Sequence, residues 1–129
     1  MLRFLVGRPP VRSAFGSFDL RGVSDKVLFV YGSTQRGRAR GLWLSGADRL
    51  CFYFWGWPDD LHASVPGGIA ANRWHQVVGT YDGQTARLYF DGRLLGEVKT
   101  KIDTLPGGRY FLGRNLVDDG WEFHGLVDR

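Results

Sequence analysis

The alternation of apolar and polar positions is sharpest between Arg73 and Gly92, RWHQVVGTYDGQTARLYFDG. Two period-two runs, Trp74 to Tyr81 and Thr85 to Phe90, are separated by a turn holding Asp82-Gly83 and Gln84, and the second ends at Asp91-Gly92. An Asp-Gly pair between such runs is a strong hairpin signal, because tight hairpin turns need residues that accept positive φ. The pattern predicts two consecutive hairpins, with Arg93 to Val98 pairing onto Thr85 to Phe90. It also predicts that Trp74, Val78, Leu88 and Phe90 point inward and form the layer between two sheets.

The rest of the chain reads the same way. Leu2 to Val6 is a strand stopped by Gly7 and Pro9-Pro10, since proline cannot donate to a ladder. Val27 to Tyr31, Leu42 to Leu44, Leu50 to Trp57 and a weaker His62 to Val65 follow, then Arg109 to Gly113 and Glu122 to Val127 late in the chain. In LCFYFWGW, Leu50, Phe52 and Phe54 fall on one face and Cys51, Tyr53, Trp55 and Trp57 on the other, so both faces are covered or used. No segment carries convincing helical periodicity. The prediction is an all-β fold of about nine or ten short strands, an antiparallel two-sheet sandwich or jelly roll rather than a βαβ fold.

Length and composition narrow this reading only a little. At 129 residues the chain matches one domain, and its nineteen glycines fit many tight turns. A net charge of +4, from fourteen Arg and three Lys against eleven Asp and two Glu, does not mark a specific nucleic-acid binder. No apolar run reaches the roughly 18 residues of a membrane span. The opening MLRFLVGRPP does not read as a signal peptide, its apolar stretch being short and interrupted by Arg3. The single Cys51 cannot form an internal disulfide, has no Cys or His at metal-ligand sequence spacing, and reads as a small apolar strand residue.

The succession WHQVVGTYDG, LYFDGRLLG, FLGRN and FHGLVD resembles the second half of a laminin G-like domain of the concanavalin A-like lectin/glucanase superfamily. The segment FYFWGWPDDL is similar to the aromatic strand and loop that precede this block in bacterial members. The match is specific from Leu50 to Asp128 and generic before Asp48. It implies one laminin G-like jelly-roll domain over residues 1–129, short of the family's terminal strands, in an extracellular or cell-envelope protein. It implies a non-enzymatic module recognising a glycan or a cell-surface or matrix protein. A structural or accessory domain without a ligand of its own is the alternative, and a glycoside hydrolase is carried behind both. An end strand left unpaired would offer an edge for homodimer formation.

Three groups of residues carry candidate chemistry. Tyr53, Trp55 and Trp57 share one strand face and offer flat rings with polar edges for a sugar, against the alternative that they pack under a covering loop. Arg36, Arg38 and Arg40 alternate with small residues, so an extended backbone would present three guanidiniums to a polyanion, or protect a sheet edge. Many laminin G-like domains bind calcium, and the resemblance implies Asp59, Asp60, Asp118, Asp119 and Asp128 as candidate ligands, with solvated turn carboxylates as the alternative. Retaining glycoside hydrolysis needs two carboxyl groups about 5 Å apart. The two glutamates, Glu97 and Glu122, form no acidic cluster in the sequence, and the histidines His62, His75 and His124 lie near no nucleophile elbow.

Overall fold

The computed structural model describes residues 2–6, 26–33, 39–54, 60–101, 108–116, 122–123 and 125–128. These hold strands β1 (Leu2–Val6), β2 (Lys26–Gly32), β3 (Ala39–Leu44), β4 (Arg49–Tyr53), β5 (Leu61–Ser64), β6 (Trp74–Tyr81), β7 (Thr85–Phe90), β8 (Arg93–Lys99), β9 (Arg109–Leu112) and β10 (Gly125–Asp128). No helix occurs among the described residues. Sheet I runs β10-β1-β6-β7-β8 and sheet II runs β5-β4-β3-β2-β9, five strands each with antiparallel ladders throughout. The chain is an all-β two-sheet sandwich.

Period-two alternation supplies the core from both layers. Leu28, Leu42, Leu44, Leu50 and Leu61 of sheet II pack in one buried cluster with Val77, Leu88 and Phe90 of sheet I. Leu50 and Leu88 are fully buried, and truncating such a leucine to alanine costs about 2–5 kcal/mol. Phe54 and Ala86 extend the core at one end, where the Phe52 and Phe54 rings meet at 4.5 Å. Gly79 leaves the space for this packing: a Cβ there would lie 3.0 Å from the Phe52 ring.

Sheet I inverts one expectation. Trp74 is 39% exposed and Val78 is only half-buried, whereas His75 and Val77 turn inward. The inward parity was mistaken because the tryptophan is the larger hydrophobe, yet the opposite set contains Val77, fully buried, and a histidine whose polar atoms are satisfied. His75 Nδ1 lies 2.9 Å from Asp91 Oδ2, its Nε2 lies 2.8 Å from the Ala70 carbonyl, and its ring stacks on Phe90 at 4.9 Å. A histidine so bonded can be buried without an orphaned polar group. The other parity would have brought Gln76 and Thr80 into the core.

Asp91 is the centre of that arrangement. With Gly92 it forms the two-residue connection between β7 and β8, at φ 45° and 81°, the doubly positive geometry of a type I′ turn. Its Oδ1 accepts from the Gln76 N–H at 2.8 Å, and its own N–H donates to the Gln76 carbonyl at 2.8 Å. One carboxylate thus holds the turn, the start of β6 and the buried imidazole together. The β6–β7 connection is different, since only Gly83 has positive φ there. Asp82 instead caps the loop by accepting from the Gln84 and Thr85 N–H groups at 3.0 and 2.7 Å and pairs with Arg87 at 2.7 Å.

Other strand limits differ from expectation for local reasons. β3 begins at Ala39 rather than Leu42, because Ala39, Arg40 and Gly41 already pair with Gly32, Tyr31 and Val30. β4 ends at Tyr53, since the next amide, that of Phe54, donates to Asp60 Oδ1 at 2.8 Å instead of to a ladder. Glu122 makes an isolated parallel bridge to Val27, and the Phe123 N–H goes to the Gly113 carbonyl, so the last strand starts only at Gly125.

The carboxylates of these turns tie stability to pH. Burial pushes the Asp91 carboxyl upward, but the Gln76 N–H, the His75 bond and the charges of His75 and Arg73 outweigh it and hold it below the ordinary carboxylate value. Asp82 is held at about 2, first by its bond to Arg87 and then by the Thr85 and Gln84 N–H groups. A depressed folded value means that the contribution is complete above the unfolded value, about 4, and is lost as pH falls through the folded one. Asp91→Ala is expected to cost about 1.5–3 kcal/mol in urea unfolding near neutral pH, the range for hydrogen bonds to a charged group. The gap to the parent chain should narrow as pH drops below about 4.

Candidate functional site

The register of β4 against β5 builds a polar and aromatic cluster on the face of sheet II turned away from the core. Cys51 stands directly opposite His62, and Phe52 opposite Leu61. Leu50 and Phe52 point into the sandwich, so Cys51 and Tyr53 point out. On the neighbouring strand Trp43 stands opposite Cys51. Asp60, immediately before β5, shares the parity of His62.

The distances show how tightly these groups are gathered. Cys51 Sγ lies 3.7 Å from His62 Nε2, and one donor atom each of Cys51, Asp60 and His62 lies within 4.8 Å of the others. Cys51 is fully buried, Asp60 half-buried and His62 exposed, so the cluster opens from the sheet toward solvent. The Phe54 N–H fixes the Asp60 carboxylate from the side of the chain. Trp43 and Tyr53 rings lie 4.1 Å apart at 33°, and Trp43 belongs to a second buried cluster with Val27, Val30, Ala39 and Cys51, against which Tyr53, Phe111 and Leu116 pack. The Tyr53 hydroxyl is pushed well above the ordinary phenol range, chiefly by burial and further by the charges of Asp60 and Cys51.

Of the residues singled out from the sequence, Tyr53 and Asp60 come together in this cluster. Trp55, Trp57 and Asp59 lie outside the described residues, as do Arg36, Arg38, Asp118 and Asp119. Asp128 closes β10 opposite Arg3 of β1. Arg40 shares the parity of the core residues Leu42 and Leu44 on β3 and is half-buried. The cluster's other members, Trp43, Cys51 and His62, were missed. Sequence spacing hides the Cys51–His62 approach because it is created by pairing across two strands, and the signal that could have found it is the Asp60-x-His62 parity on a strand adjacent to β4.

A fit to calcium can be judged at Asp60. Calcium takes about six to eight oxygen ligands. The one group of three His, Cys, Asp or Glu donors among the described residues sets Asp60 beside a thiol and an imidazole, and this donor set does not fit calcium.

His75 and Asp91 also form a histidine–carboxylate pair, but the far ring nitrogen is already bonded to the Ala70 carbonyl. The pair therefore acts as a structural lock and leaves no nitrogen to activate a nucleophile.

A laminin G-like family model described as the concanavalin A-like lectin/glucanases superfamily matches residues 18–129. The chain belongs to this laminin G-like family. The match begins well before Leu50, where the sequence motifs became specific, and it accords with the two antiparallel sheets of the laminin G-like fold. Membership supports a lectin-like or structural module. A search of curated proteins found no match. No helix among the described residues of this laminin G-like chain is long and apolar enough to cross a membrane.

The environment of Tyr53 yields a testable sign. A phenol whose folded value is raised contributes stability that is complete below the unfolded value, about 10, and is lost as pH rises above it. Tyr53→Phe is therefore expected to flatten the alkaline fall in melting temperature, and an unchanged alkaline limb would show that Tyr53 ionises as freely as in the unfolded chain.

Proposed function

We propose that this laminin G-like domain is a non-enzymatic recognition module that binds a carbohydrate, or the glycan-bearing surface of a cell-surface or matrix partner, through the outward face of sheet II around Tyr53. The observation that supports this reading is the grouping of a half-buried aromatic ring with polar neighbours: Tyr53 is backed by Trp43 at 4.1 Å and lies near Asp60, which is itself within 4.8 Å of the exposed His62. Sugar rings combine apolar C–H faces with hydroxyl edges, and a tyrosine ring beside a carboxylate and an imidazole offers both kinds of contact. An extracellular or envelope setting accords with such a module.

The placement of the two glutamates favours binding over hydrolysis. Glu97 lies on β8 of sheet I and pairs with Arg87 at 3.0 Å, while Glu122 bridges to Val27 of sheet II. Glu97 thus belongs to sheet I and Glu122 borders sheet II, whereas the retaining mechanism needs its carboxyl pair about 5 Å apart.

A second reading, a structural module without a small ligand, is favoured by the burial of Trp43, which is only 6% exposed and offers no open ring face. Glycan-array binding followed by titration calorimetry separates the two. Recognition at this face predicts that Tyr53→Ala weakens binding about tenfold or more, equivalent to about 1.4 kcal/mol, while Leu94→Ala on the opposite sheet leaves it unchanged. Absence of any retained glycan would favour the structural reading.

A further inference from the structure

We propose that Cys51, Asp60 and His62 form a binding site for a borderline transition-metal ion, zinc foremost, on the outward face of sheet II. The inference stands on donor chemistry and geometry and is independent of the glycan reading.

A thiolate, an imidazole and a carboxylate are the three side-chain ligands that zinc takes, at about 2.3 Å for sulfur and 2.0–2.2 Å for nitrogen and oxygen. At a tetrahedral angle those bond lengths separate sulfur from nitrogen by about 3.6 Å. The observed Sγ to Nε2 distance is 3.7 Å. The carboxylate oxygen lies within 4.8 Å of both partners, so a modest rotation of the Asp60 or exposed His62 side chain completes the triangle. Two of the ligands are held by the ladder itself, since Cys51 and His62 are directly opposed across β4 and β5. The third is held by the Phe54 N–H on Asp60 Oδ1, the kind of outer bond that orients a ligating carboxylate.

Three protein ligands leave a tetrahedral ion one open position, and the graded burial from Cys51 to His62 directs that position toward solvent. Water or an oxygen of a bound ligand would occupy it. Binding converts the Cys51 thiol to a thiolate and releases its proton to solvent. Calcium and magnesium, which require oxygen donors, are excluded by the same set.

The test uses the full chain, reduced, freed of metal with a chelator and then dialysed. Titration with zinc is expected to show one ion per chain, a rise in melting temperature reversed by chelator, and no comparable rise with calcium. Cobalt in place of zinc should give a thiolate-to-metal charge-transfer band with the visible bands of four-coordinate cobalt. Asp60→Asn keeps an acceptor for the Phe54 N–H, and His62→Ala alters an exposed side chain, so both variants are expected to fold. Each should lower zinc affinity about tenfold or more, since even outer-shell changes cost about 10–100-fold. Cys51→Ser should abolish the charge-transfer band. Failure of the parent chain to bind zinc, binding unaffected by Asp60→Asn and His62→Ala, or a six-coordinate cobalt spectrum without the charge-transfer band would each overturn the site. A melting temperature that rises with calcium and not with zinc would overturn it as well.

Discussion

Every outward feature of this domain depends on which parity of each strand the core takes. A period-two strand has only two ways to face, and shifting from one to the other moves every side chain to the opposite surface. In sheet I the choice is enforced by a polar lock. The Asp91 carboxylate bonds His75 and the Gln76 amide, and the His75 ring stacks on Phe90, so a histidine enters the sandwich and a tryptophan is left half-exposed. In sheet II the choice is enforced by aliphatic and aromatic burial, Leu50 and Phe52 on β4 and Leu61 and Ala63 on β5.

That second choice is what creates chemistry on the far side of sheet II. With Leu50, Phe52, Leu61 and Ala63 committed inward, Cys51, Tyr53 and His62 must face outward, and the antiparallel register sets Cys51 against His62. The aromatic cluster around Trp43 then shields the thiol, while the end of β4, closed by the Phe54 to Asp60 bond, brings a carboxylate to the same spot. Sheet I presents a contrasting outer surface. There Arg87 bridges Asp82 and Glu97 in an exposed ion-pair row, and such solvent-screened surface pairs add little to stability.

Most of the fold was legible in the sequence because it is written locally. The bounds of β1, β6 and β7 follow from alternation and turn residues, and the split of Leu50, Phe52 and Phe54 against Cys51 and Tyr53, along β4 and the residue after it, follows from period two alone. The errors arose where a nonlocal partner decided. Trp74 outranks His75 as a hydrophobe, but the carboxylate that makes His75 burial tolerable lies sixteen residues away. The alternation of Arg40 with small residues likewise does not reveal that it pairs with Tyr31 and shares the face of Leu42 and Leu44. The Cys51, Asp60 and His62 grouping escaped for the same reason, since its contact is made across two strands and only the Asp60-x-His62 parity beside β4 hints at it. The family motifs WHQVVGTYDG and LYFDG, in turn, gain a physical meaning: their histidine and second aspartate are His75 and Asp91, the two ends of the lock.

Single-cysteine scanning of β6 in a Cys51→Ala background, read as the rate of modification by a water-soluble thiol reagent in the folded chain, tests the parity most directly. Cysteines replacing Trp74 and Thr80 should react quickly and one replacing Val77 should be protected until the chain unfolds, because Val77 is fully buried while Trp74 and Thr80 are exposed. Fast modification at position 77 together with protection at 74 would show the strand facing the other way, and the arrangement around His75 and Asp91 would be contradicted.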